Sequence, residues 1–127
     1  MEEIMRALLL ADSGVSGFVE DRISFGAQGQ GDGLPAIVLN TISDAEGYLI
    51  NRPDGLSEAR LQVDCYALSY RDAKLTSRAV RAAISGHAGG GIKGVFHAGS
   101  RDSREGGANE VERPYRVSLD FLITYSI

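Results

Sequence analysis

The residues of this chain best suited to chemistry are a glycine run, two histidines, a few serine and aspartate pairs, and one stripe of cations. Gly29-Gln30-Gly31-Asp32-Gly33 has the composition of a phosphate-wrapping loop. Such a loop works when its backbone N–H groups open a helix, usually beside a Lys and a Ser or Thr. Here the run leads into Leu34-Pro35 and a predicted strand, so a plain loop is expected. Residues 86–91 are a poor phosphate loop for the same reason, because they end a helix instead of opening one. His87 and His97 each lie near a glycine-rich turn with no Cys or carboxylate at ligand spacing. A zinc site needs four ligands in structural form, or three with an open position, so no metal is expected. Ser85 with His87, and Ser100 with Asp102, lack the elbow and oxyanion context that makes a serine reactive. No catalytic residue and no cofactor are predicted. Asp64 and Asp120 fall on the polar faces of predicted strands, where solvation is the expected fate.

The cations form a clearer pattern. Arg71, Lys74, Arg78 and Arg81 recur at spacings of three, four and three, which places them on one face of a helix in an otherwise acidic protein. A solvated helix face is one reading. The other is a contact with a second subunit, an acidic partner or DNA phosphates. Arg101 and Arg104 belong to a mixed-charge stretch, Ser100-Arg101-Asp102-Ser103-Arg104-Glu105, which reads as an exposed loop that orders against a partner.

The elements that must position these residues follow from periodicity. Leu61, Val63, Cys65 and Ala67 alternate with Arg60, Gln62, Asp64 and Tyr66, which predicts a half-buried antiparallel strand over residues 58–67. Ser69 and Asp72 then have capping-box spacing and open a helix over residues 70–84, with Ala73, Val80, Ala83 and Ile84 as its buried stripe. A first helix is predicted over residues 2–12 with Ile4, Ala7, Leu8 and Ala11 on its buried stripe, and Val15, Phe18 and Val19 form one further turn. Shorter strands are predicted over residues 22–25, 36–42 and 92–97. Pro53-Asp54-Gly55 reads as a turn, and residues 26–33 and 99–113 read as loops. Alternation from Tyr115 to Ile127 predicts the longest strand of the chain, central to the sheet. The expected class is α+β, a mostly antiparallel sheet with two main helices packed on one face.

Composition sets the outer bounds. At 127 residues the chain reads as one domain, large enough to bury a core without staples. Thirteen Lys and Arg against 17 Asp and Glu give a net charge of −4, so no global field draws the protein to nucleic acid or an anionic membrane. The lone Cys65 sits on an apolar strand face, where a thiol acts as a small hydrophobe. The apolar run Leu8-Leu9-Leu10-Ala11 is too short to cross a bilayer, and the start lacks the charge of a signal peptide, so a cytosolic origin is expected.

Taken in order, these segments resemble the tail completion, or tail terminator, proteins of long-tailed phages and gene transfer agents. The resemblance runs nearly end to end. It rests on Ala7-Leu8-Leu9-Leu10-Ala11, Asp21-Arg22-Ile23, Leu34-Pro35-Ala36-Ile37-Val38 and Ala59-Arg60-Leu61-Gln62-Val63-Asp64-Cys65-Tyr66-Ala67. It continues through Tyr70-Arg71-Asp72-Ala73 and Ala79-Val80-Arg81-Ala82-Ala83-Ile84, and closes on Tyr115-Arg116-Val117-Ser118-Leu119-Asp120-Phe121. The resemblance implies a non-enzymatic protein that forms a homo-oligomeric ring, typically a hexamer, on a finished tail tube. The ring stops tube polymerisation and offers a docking surface for the head connector. In such a ring the stripe of Arg71, Lys74, Arg78 and Arg81 is a candidate half of the contact between neighbours, with acidic residues such as Glu46, Asp54 or Glu58 as its opposites. The implied partners are its own copies, the tail-tube protein and the connector or stopper, with DNA only in passage through the channel and no membrane. The implied location is the host bacterial cytoplasm during assembly and then the particle neck. A neck or head-tail joining component is the nearest alternative reading, and a small-ligand binding module on an α+β scaffold is the alternative from another class.

Overall fold

The computed structural model describes residues 1–26, 33–104 and 114–127. Its elements are α1 (Glu2–Ala11), α2 (Ser13–Val19), β1 (Ile23–Phe25), β2 (Ala36–Tyr48), β3 (Pro53–Ala67), α3 (Tyr70–Ile84), β4 (Ile92–Arg104) and β5 (Tyr115–Ser126). The strands form one sheet in the order β1-β2-β3-β5-β4, antiparallel except for the short parallel pairing of β1 with β2. The α+β class with two main helices is as expected, and the further turn expected through Val15, Phe18 and Val19 is a separate short helix, α2, because Asp12 breaks the first helix and caps the next. Its Oδ1 accepts the Val15 N–H at 3.0 Å.

β3 lies in the middle of the described sheet and is 15 residues long, whereas β5, predicted to be longest and central, has 12 residues and lies between β3 and β4. The alternation of β3 decides the layering. Leu61, Val63, Cys65 and Ala67 are fully buried, and across the ladder they face Phe121, Leu119, Val117 and Tyr115 on β5. These residues, with Ile37 and Leu39 of β2 and Val95 of β4, form a core with the buried residues of the helices. α3 packs on β3 and β5, and both α1 and α2 pack on α3 and β2. Full burial of a Leu or Val side chain contributes roughly 1.5–3 kcal/mol, so this one face supplies most of the folding drive. Burial pushes the Cys65 thiol well above its ordinary range, with Asp64 adding to the shift.

α3 starts and stops as its sequence predicts. Ser69 Oγ accepts the Asp72 N–H at 3.1 Å, and the chain leaves the helix through Gly86 at φ +81°, a left-handed conformation that costs glycine little. Ala73, Val80 and Ile84 are buried and Ala83 is half-buried, but Thr76 and Ser77 are buried as well. Their hydroxyls donate to the carbonyls of Asp72 and Lys74, each at 2.7 Å, so polar residues fit an apolar contact.

Four boundaries or faces differ from expectation. α1 buries Met5 and Leu9, whereas Ile4, Ala7 and Ala11 are exposed. With apolar residues on nearly every side of this helix, periodicity alone cannot choose the rotation. β2 runs on to Tyr48, and the chain reverses at residues 49–52, where Leu49 N–H donates to the Arg52 carbonyl at 2.7 Å. Pro53-Asp54-Gly55 therefore starts β3 instead of turning the chain, with Asp54 Oδ1 accepting the Leu56 N–H at 2.9 Å. β4 runs to Arg104 because residues 99–104 pair with Asp120 to Tyr115, so the polar stretch read as a loop is an edge strand. The remainder of that predicted loop, residues 105–113, and most of the glycine-rich one, residues 27–32, lie outside the described residues.

Asp64 and Asp120, expected to be solvated, are each only 3% exposed. They stand on the sheet face opposite the helices, so partners hold them, as described below.

His97 and Phe121 couple the β4 edge to the core. Their rings lie 5.4 Å apart, and His97 Nε2 is buried with no hydrogen-bond partner among the described residues. Burial, and then the Arg81 charge, hold the imidazole below its ordinary range, against the opposing pull of the Gly99 backbone and Asp120. The unfolded chain therefore takes up a proton near pH 6.5 while the folded chain does not, so folding stability falls as pH drops below that value. His97→Gln should flatten the difference between urea melts at about pH 7.5 and about pH 5.5, and an unchanged slope would contradict this environment. Phe121→Ala should cost about 3–5 kcal/mol in the same melts by leaving a cavity between β5 and the helices.

Candidate functional site

The four cations predicted on one helix face do project from α3, but they do not share one fate. Lys74 Nζ lies 2.9 Å from Asp102 of β4, Tyr70 OH donates to the same carboxylate at 2.9 Å, and the ammonium stands 5.6 Å over the Tyr70 ring. The Lys74 hydrogen bond holds the Asp102 carboxyl below its usual range, and Asp102 in turn raises Lys74. Tyr70 also meets Tyr115 edge to face at 5.9 Å. Lys74 thus ties the start of α3 to the edge strand. Arg71, Arg78 and Arg81 are exposed and make no side-chain hydrogen bond or ion pair among the described residues. Arg78 and Arg81, with Ala82 and Ser85, line a shallow depression of about 350 Å³.

Arg101 lies on the other side of the sheet. A register shift between His97 and Gly99 sets the faces of β4, so that Asp102 meets α3 while Arg101 meets the opposite face. There Arg101 donates to Asp120 at 2.5 Å and to Gln62 at 3.3 Å, and Arg60 reaches Asp120 at 3.3 Å. Gln62 donates to Asp64 at 2.9 Å, and Ser118 does so at 2.6 Å. The two buried carboxylates are therefore held in a polar ladder across β3, β5 and β4. Removing the cations would leave Asp120 buried and unpaired, which is far more costly than losing an exposed pair. Arg101 is a structural residue of this ladder. Arg104 closes β4, and its side chain lies outside the described residues. The sheet separates the α3 stripe from Arg101, so the six residues do not form one site.

A second feature lies at the far end of the sheet. The distal parts of β2 and β3 carry a groove of about 510 Å³ lined by Ser43, Ala45, Gly47, Asp54, Leu56, Ser57, Glu58 and Thr124. Its charges are Asp54 and Glu58, and among the described residues neither has a cation within 4 Å. Gly47 makes room for the Asp54 carboxylate, which an added Cβ there would strike. Of the acidic residues expected as opposites of the basic stripe, Asp54 and Glu58 line this groove and Glu46 does not. Beyond the groove, the hairpin end exposes Tyr48, Leu49 and Ile50, the last completely, and Ile127 lies exposed beside the same end, its N–H donating to the Gly55 carbonyl.

Among the described residues no group of three or more His, Cys, Asp or Glu side chains converges as a metal site, and no helix is long and apolar enough to cross a membrane. The arrangement is one of surfaces: an unpaired basic depression, an unpaired acidic groove and an apolar hairpin tip.

No curated protein sequence matches the chain. Among solved structures, a chain from the "Virion of native gene transfer agent (GTA) particle" is similar in fold, with a TM-score of 0.74 at 15% identity, covering 97% of this chain and 92% of that one. The model of the family "Tail completion protein gp17" matches residues 3–126. With every strand of the sheet, α2, α3 and all but the first residue of α1 inside that match, this chain belongs to the tail completion protein family, whose model supports a structural role in the phage tail.

Proposed function

We propose that the protein caps the head-proximal end of a phage or gene-transfer-agent tail tube as a homo-oligomeric ring, a hexamer, which stops tube growth and presents a docking surface to the head connector. The family match over residues 3–126 carries this reading. The fold likeness to a chain of a gene transfer agent virion is consistent with it.

The geometry adds a physical rationale. A five-stranded sheet with helices on one face and a tied polar ladder on the other is a stiff body, suited to being a wedge of a ring. In a closed ring, one patch of each subunit meets a different patch of the next, so surfaces unpaired within a subunit find partners between subunits. Arg71, Arg78 and Arg81 are candidates for such a contact. The exposed hairpin end is a candidate for an axial contact with the tube or the connector. The chemistry is that of assembly, without a catalytic step, within one domain spanning residues 1–127. DNA would cross the ring's channel without sequence-specific contact. The protein would form in the host bacterial cytoplasm and end in the particle neck.

Light scattering behind size exclusion, on the protein alone and with its tail-tube protein, tests the proposal. The expected result is a ring-sized mass of six copies, either free or induced by the tube. A strict monomer that ignores the tube but binds the portal or adaptor ring would instead assign the protein to the neck as a stopper.

A further inference from the structure

Taking the ring proposed above as given, we propose that its subunit contact seats Arg78 and Arg81 of one copy in the Asp54 and Glu58 groove of the next. Arg78 and Arg81 are exposed and long enough to enter a groove, Asp54 and Glu58 are exposed in one, and the two pairs carry opposite charge. Each lacks an ion-pair partner among the described residues of its own chain. Lys74, by contrast, is already committed to Asp102, and Arg101 to Asp120.

The placement of the halves excludes closure within one molecule and favours a head-to-tail contact. Arg81 belongs to the last turn of α3, whose end reaches the β4 side of the sheet, where Gly86 N–H donates to the Val95 carbonyl at 2.8 Å. The groove is built from β2, β3 and β5, with Glu58 directly across from Thr124 on the face that also carries Arg60 and Asp120. The two patches thus lie on opposite faces and toward opposite edges of one sheet, so the contact they make is heterologous.

The chemistry of the two sides matches. Guanidinium groups bind carboxylates through paired, charge-assisted hydrogen bonds whose geometry a lysine cannot reproduce. Asp54 is exposed and held in place: its Oδ1 takes the Leu56 N–H at 2.9 Å, and its carboxylate rests against Gly47, where a Cβ would displace it.

The test uses two full-length variants. One carries Arg78→Glu and Arg81→Glu; the other carries Asp54→Asn and Glu58→Arg. Each is measured by light scattering under the condition that gives the wild-type ring, with circular dichroism melts to check folding. Each variant alone should lose the ring, because its altered patch meets a like charge on its own copies. Mixed in equal amounts, the two should regain it, since in an alternating ring every altered patch faces its opposite. Rings that survive in both separate variants, or a ring lost in each and not restored on mixing, would overturn this contact while the wild-type ring stands. A wild-type protein that never forms a ring removes both the contact and the ring reading. If the groove variant fails to fold, Glu58→Arg alone replaces it, with the same two outcomes.

Discussion

The structure depends on a single constraint: β3 is paired on both sides and covered on one face only. Its alternation sends Ala59, Leu61, Val63, Cys65 and Ala67 under the helices, and the same alternation sends Arg60, Gln62 and Asp64 to the other face. A one-residue slip would exchange the two sets, so the register is strongly determined. Once it is set, the remaining layers follow. Phe121 and its neighbours complete the apolar side, α3 closes over it, and the polar side must satisfy its own charges. Arg60, Arg101, Gln62 and Ser118 do so for Asp64 and Asp120. That ladder joins three strands on the face that carries no helix, and it stiffens a sheet that would otherwise be braced from one side.

The parts legible in the sequence are those where a local signal and the tertiary demand agree. α3 has a cap, a helical stripe and a glycine stop, and its ends match expectation. β3 and β5 have alternation over many residues, and both are strands. Where an element's identity depends on its partner, the sequence was less informative. β4 past His97 is polar because it is an edge strand, and only its pairing with β5 marks it as a strand. Met5 and Leu9 were chosen over Ile4 and Ala7 by the layer they meet, on a helix apolar nearly all round. Asp54 and Gly55 carry turn chemistry but lie inside a strand, because the chain has already reversed at residues 49–52.

The candidate surface divides along the same line. The spacing of Arg71, Lys74, Arg78 and Arg81 places them on one helix face, but spacing is silent on which of them is free. Lys74 is held by Asp102, a residue 28 positions away brought near by the β4 register. Arg101 is separated from the stripe by the sheet itself. What remains is a pair of oppositely charged concavities on opposite faces and an apolar hairpin tip at the end of the strands. In the ring proposed above, the lateral charges would meet neighbouring copies, and the exposed tip at Tyr48, Leu49 and Ile50 would meet what lies above or below.

The most direct measurement of the central claim is electron microscopy of tubes assembled from the cognate tail-tube protein, with and without this protein. The account predicts a ring of density at one end of each tube only, and tubes that no longer elongate once it is present. Density spread along the tube walls, or bare ends that continue to grow, would contradict it.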